Sequence, residues 1–153
     1  MVGIKMARQL LGFTQKHFKS GTFLGTQELP GYCPTERVLI RMAKTMDIPV
    51  STFFLLEEGD KRIYNVDLKF IPCRFGKGIK EFQRLAGLLD VEMATLLSIN
   101  TQTYINRCGT TMSSKTLYSA AEIFKVPASH IVILGEDGHF LADAVRNSFL
   151  KRK

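Results

Sequence analysis

The chain has 153 residues, 45% of them hydrophobic and 23% charged, a composition that suits one or two globular domains and excludes collagen-like and disordered classes. Its 21 Lys and Arg residues outnumber 14 Asp and Glu, a net charge of +7, which favours a polyanionic partner such as nucleic acid. The three cysteines, Cys33, Cys73 and Cys108, are odd in number and far apart, which argues against a disulfide framework and for a reducing, cytoplasmic setting.

The charge is spread along the chain. Residues 1–75 carry 11 basic and 7 acidic groups and residues 76–153 carry 10 and 7, so neither half is a basic arm. The longest aliphatic or aromatic runs, 53–56 and 131–134, are four residues long, far short of the roughly 18–20 needed to cross a bilayer. No membrane association is expected, and the first residues lack the apolar core of a signal peptide.

In chain order, the first landmark is Gly3-Ile4-Lys5, which returns as Gly78-Ile79-Lys80 at an offset of 75. The offset persists through Leu10 and Leu85, Gly12 and Gly87, Phe13 and Leu88, and Thr26-Gln27 and Thr101-Gln102. It then becomes 78, pairing Ala43 with Ala121, Ile48-Pro49 with Val126-Pro127, Ser51 with Ser129 and Phe53 with Ile131. These ordered matches predict two tandem copies of a helical unit of about 60 residues.

The first copy, 1–60, contains Pro30, which limits its third helix to about one turn. In the linker, 61–76, Tyr64, Val66, Leu68 and Phe70 alternate with polar residues, a strand signal. The second copy, 77–138, predicts helices near 78–87, 90–97, 101–107 and 115–124, with a turn at 108–111 and a final helical turn through 131–134. Gly87 is a candidate C-cap, and Asn100, Ser113 or Ser114, and Ser129 are candidate N-caps. Val91, Ala94 and Leu97, with Met93 and Leu96, give the 90–97 segment a wide apolar stripe. Residues 139–153 predict an amphipathic helix with a basic end, docked on the core or on a second subunit. The fold class expected is therefore mainly all-α.

The 90–107 stretch reads as helix, tight turn, helix. Thr101, Gln102, Thr103, Asn106 and Arg107 form a polar face beside the anchoring Tyr104 and Ile105, and amide and guanidinium groups of this kind pair bidentately with adenine and guanine edges. Asn100, Ser113, Ser114 and Lys115 lie at helix starts suited to phosphate contact, and Arg74, Lys77 and Lys80 add sequence-independent phosphate candidates. In the first copy the equivalent candidates are Thr14, Gln15, Lys16, Thr26 and Gln27.

The residues resemble the Cro/lambda-repressor (XRE) type of helix-turn-helix. The resemblance rests on Leu11-Gly12-Phe13-Thr14-Gln15 in copy one, on Ala86-Gly87-Leu88, Ala94 and Ile99-Asn100 in copy two, and on the fourth-helix patterns Leu39, Ala43-Lys44, Ile48-Pro49 and Leu117, Ala121-Glu122, Val126-Pro127. It implies a transcriptional regulator, such as a repressor, that binds duplex DNA as a homodimer with its third helix in the major groove. Copy two departs from the pattern by placing Leu89-Asp90 where the family has a backbone-contacting Thr-Gln. Copy one keeps Thr14-Gln15 but has Lys19-Ser20-Gly21-Thr22 in its second helix. These departures keep a second expectation open, a protein-interaction module of antitoxin-like or DNA-processing type.

No paired Cys or His spacing suggests a metal. His17, His130 and His139 are scattered, and no phosphate-loop motif or activated nucleophile stands out. Neither a cofactor nor an enzymatic activity is expected.

Overall fold

A computed structural model describes residues 1–14, 27–32, 34–62 and 69–152. Among these, nine α-helices and no β-strand occur: α1 Val2–Leu10, α2 Glu36–Met46, α3 Ser51–Glu58, α4 Phe75–Ala86, α5 Asp90–Leu96, α6 Thr101–Gly109, α7 Ser114–Phe124, α8 Ala128–Leu134 and α9 Ala142–Leu150. The fold is all-α. The strand expected around 64–70 falls mostly on 63–68, outside the described residues. At its far end Phe70 donates its N–H to Asp47 (3.1 Å) and lies under the Lys44 ammonium, so the chain leaves the linker packed on the end of α2.

Helix boundaries follow local chemistry. Ser113 is the N-cap of α7 and accepts the Thr116 N–H, and Asn100 does the same for α6 through Thr103. Gly87 closes α4 in the left-handed region, with φ 74°. Two boundaries differ from expectation. Helix α4 begins at Phe75, three residues before Gly78, because the buried Phe75 ring anchors its first turn. Helix α6 continues through Cys108 and Gly109, which the sequence assigns to a turn.

The 75 and 78 offsets recur in the backbone. A Cβ on Gly3 would sit 1.9 Å from the Phe53 carbonyl oxygen, and one on Gly78 would sit 1.9 Å from that of Ile131. Helix α1 thus crosses α3, and α4 crosses α8, each at a contact only glycine permits. Asp47 and Lys125 both end their helices in the left-handed region, at φ 52° and 57°. Arg8 donates to the Phe13 carbonyl and Gln83 to that of Leu88, both at 3.2 Å.

The copies meet through equivalent residues, the mark of a two-fold relation. Thr35 and Ser113, 78 residues apart, form an isolated antiparallel bridge. Beside it Glu36 N–H donates to the Met112 carbonyl (3.2 Å), and the Ser114 hydroxyl donates to the Pro34 carbonyl. Further along, α3 packs against α8. Glu58 accepts from the Ser129 N–H (3.1 Å) and hydroxyl. Reciprocally, Glu136 lies against the Ser51 hydroxyl and the Ser51 and Val50 amides without reaching hydrogen-bond geometry.

One hydrophobic core spans both copies. Phe54 of copy one meets Phe75 edge-on (6.1 Å) and Tyr118 (6.0 Å) of copy two. Helix α9 docks on the same chain's core, its Phe149 edge-on to Phe82 and Phe124 and its Arg146 paired with Glu81. Such T-shaped aromatic pairs add about 0.5–1.5 kcal/mol each beyond area burial.

Two stability tests follow from these contacts. Gly78→Ala should cost about 3 kcal/mol by forcing α4 off α8, whereas Gly109→Ala, with open space at its Cβ position, should leave stability unchanged or raise it by about 0.5 kcal/mol. Denaturant midpoints of the two variants decide the matter; equal midpoints would refute the close approach.

The second test is pH. Burial pushes the Glu136 carboxyl up to about 8, so the folded state holds a proton that the unfolded state releases near 4.5, and stability falls as pH rises between those values. His139, pushed down to about 4 by burial, acts oppositely below its unfolded value of 6.5, so the carboxyl dominates above that. Wild type should lose about 1–2 kcal/mol between pH 6.5 and 8, and Glu136→Gln should flatten the profile there; urea melts across this range provide the measurement.

Candidate nucleic-acid interface

Copy two builds a helix-turn-helix from α5, the turn 97–100 and α6. Ser98 takes φ 59° in that turn, and Ile99 N–H closes it by donating to the Ala94 carbonyl (3.0 Å). Helix α6 is held from beneath by Tyr104, its one fully buried side chain. The Tyr104 hydroxyl donates to Gln83 of α4, and the Lys80 ammonium lies 5.2 Å from its ring centroid. Burial raises the Tyr104 phenol above its ordinary value, so it remains a protonated donor. Helix α6 is thereby fixed to α4 by a buried hydrogen bond.

The opposite face of α6 is open. Gln102, Ile105, Asn106 and Gly109 are exposed at the i, i+3, i+4, i+7 spacing of one helix stripe. The Gln102 amide donates to the Asn106 side-chain oxygen (3.0 Å), ordering two adjacent amides. Arg107 is exposed beside them, with no ion-pair partner among the described residues. Thr101 and Thr103 are half-buried at the stripe's edge. All five base-edge candidates are thus brought onto or beside one helix face.

The phosphate candidates divide. Ser113 and Lys115 are exposed at the start of α7, and Asn100 is exposed while its side chain caps α6. Ser114 is not at the surface: it is 2% exposed and bonded to Pro34. One residue along a helix start turns a side chain by about 100°, enough to separate the surface Ser113 from the buried Ser114. Gln27 is likewise buried, at 8% exposure, because its segment folds over the start of α1, where the Met1 amine reaches its carbonyl. Gln15, Lys16 and Thr26 lie outside the described residues, and Thr14 is exposed.

The three basic candidates before α5 have internal partners. Lys80 pairs with Asp90 (2.5 Å) and Lys77 with Asp137, while Arg74 donates to the Gly109 carbonyl at the end of α6 (2.9 Å). Lys80 and Gln83 together hold the Asp90 carboxyl below its usual value. Glu92 accepts the Leu89 N–H (2.9 Å). Carboxylates therefore occupy the start of α5, where the family resemblance implies a backbone-contacting Thr-Gln.

The sequence reading missed two features. It placed Val91 and Leu96 on an apolar stripe, but a seven-residue helix buries only Met93 and Ala94, leaving Leu89 (66%), Val91 (53%) and Leu96 (53%) exposed. It also passed over Arg37, exposed two residues past Thr35; the 78 offset to Lys115 was the available signal. Among the described residues no group of three or more His, Cys, Asp or Glu could hold a metal, and no single helix is long and apolar enough to cross a membrane. No family model, curated protein or solved structure matches this chain.

The N-cap of α6 offers a local test. Asn100→Ala should lower stability by about 1 kcal/mol through loss of the Thr103 N–H acceptor; thermal melts that show no change would mean the cap is not formed in solution.

Proposed function

We propose that the chain binds duplex DNA, with α6 entering the major groove to read base edges, and that it acts as a transcriptional regulator. One observation carries this reading: the open face of α6 presents the ordered amides of Gln102 and Asn106 beside the Arg107 guanidinium, which has no ion-pair partner among the described residues, on a helix set one tight turn after another. Amides read adenine and guanidinium reads guanine in the major groove, each good bidentate pair discriminating by about 1–3 kcal/mol. Arg107, Lys115 and Ser113 supply attraction or hydrogen bonds to the backbone around that face.

A second reading is favoured by the face of α5. Its exposed Leu89, Val91 and Leu96, next to Asp90 and Glu92, suit a protein partner better than a phosphate backbone, because the carboxylates repel phosphate and the apolar side chains gain from burial. On that reading the helix-turn-helix is reused for assembly with a protein partner.

Selection from random duplexes separates the two. The wild type should enrich a defined sequence and bind more weakly as salt rises. Gln102→Ala with Arg107→Ala should cost about 1–3 kcal/mol per lost base contact and relax selectivity at those positions. Absence of any enriched sequence, or unchanged selectivity in the double variant, rejects direct readout and leaves the protein-partner reading.

A further inference from the structure

We propose that one chain is the complete duplex-binding unit, and that copy one contributes to it through Arg37, astride the internal two-fold from Lys115. The inference rests on the duplex reading above and extends it to the half of the chain whose role that reading leaves open.

Thr35 and Ser113 form an antiparallel bridge between the copies. These residues are equivalent at the 78 offset, and equivalent residues can meet each other only at the two-fold itself. The reciprocal contacts of Glu36 with Met112 and Ser114 with Pro34 place the axis between them. Arg37 and Lys115 each follow their bridge residue by two positions, are equivalent at the same offset, and are both exposed. Neither has an ion-pair partner among the described residues. A two-fold carries a feature near the axis to the same end of the molecule, so the two cations flank the axis together.

The reading helix reaches that same end. Helix α6 stops at Gly109, four residues before Ser113, and Arg74 ties its last carbonyl in place (2.9 Å). In copy one the equivalent approach is made by 27–32, held to α1 by the Arg8–Glu28 pair (2.6 Å) and leading directly to Pro34 and Thr35. At the 75 offset it carries Gly31 and the buried Gln27 where copy two carries the open amides Asn106 and Gln102. The two flanks of the axis are therefore alike in charge and unlike in reading groups. Such a surface fits one asymmetric duplex site, and the internal two-fold replaces the homodimer that the family resemblance implies.

The test uses the full chain and the duplex enriched by selection. Native mass spectrometry should find one 17.2 kDa chain per duplex, and the enriched motif should not be palindromic. Arg37→Ala and Lys115→Ala should each weaken binding about three- to tenfold at every sequence tested, and each should lower the salt slope by about 1. Thermal melts of both exposed-site variants verify that they fold. If Arg37→Ala binds as wild type while Lys115→Ala and Arg107→Ala bind more weakly, the inference fails and the duplex reading stands. Two chains on a palindromic site overturn it likewise. If no duplex is enriched, the duplex reading fails and takes this inference with it.

Discussion

The Glu36 carboxylate is the contact on which the arrangement of the two halves depends. It belongs to the first turn of α2, is 3% exposed, and accepts the N–H groups of Phe75 (2.5 Å) and Met112 (3.2 Å). Both donors lie beyond copy one: Phe75 starts α4 and Met112 precedes α7. Burial raises the carboxyl, while the two amides act to lower it. Removing a buried acceptor of this kind leaves two donors unsatisfied, at about 1–3 kcal/mol each. From Phe75 the constraint runs along α4 to Gln83, from Gln83 to the Tyr104 hydroxyl, and so to α6. A copy-one side chain thereby sets the position of α6.

The duplication was legible because its landmarks are residues whose chemistry admits few substitutes. Gly3 and Gly78 recur because only glycine lets α1 touch the Phe53 carbonyl and α4 that of Ile131. Ser51 and Ser129 recur because each faces a carboxylate from the other copy, Glu136 and Glu58. What the offset could not reveal is that these equivalent residues meet across one interface. Glu58 and Glu136 match at the 78 offset, but nothing in the offset shows that each faces the other copy. Sequence periodicity describes the faces of each helix but not which other helix covers them. That limitation also explains Ser114 and Gln27, polar side chains that a neighbouring segment buries.

Charge was the other partial guide. The net +7 is real, yet several of the basic residues nearest α6 are engaged within the fold. Lys80 answers Asp90, Lys77 answers Asp137, and Arg74 closes the end of α6. Exposed ion pairs like these contribute about 0–1 kcal/mol of stability, but they reduce the charge offered to a phosphate backbone. Among the described residues, Arg107 at the end of α6 and Lys115 just beyond it remain exposed without an ion-pair partner. A formal charge count overstates the field at the proposed interface, and only the positions of the acids beside each base correct it.

The unequal state of the two copies has a physical explanation in the internal two-fold. In a homodimer every substitution appears on both sides of the axis, so a change that helps one side and harms the other gains nothing. Within one chain the sides vary separately. Copy two has carboxylates at the start of α5 and an open amide face on α6; copy one has Pro30, Gly31 and the buried Gln27 in the place of that face. The shared interface restrains this divergence, because Thr35, Glu36, Ser51 and Glu58 must still match Ser113, Ser114, Ser129 and Glu136. The residues that meet across the axis keep their complementarity even where they differ, as Glu36 and Ser114 do, while the groups beyond it become unlike.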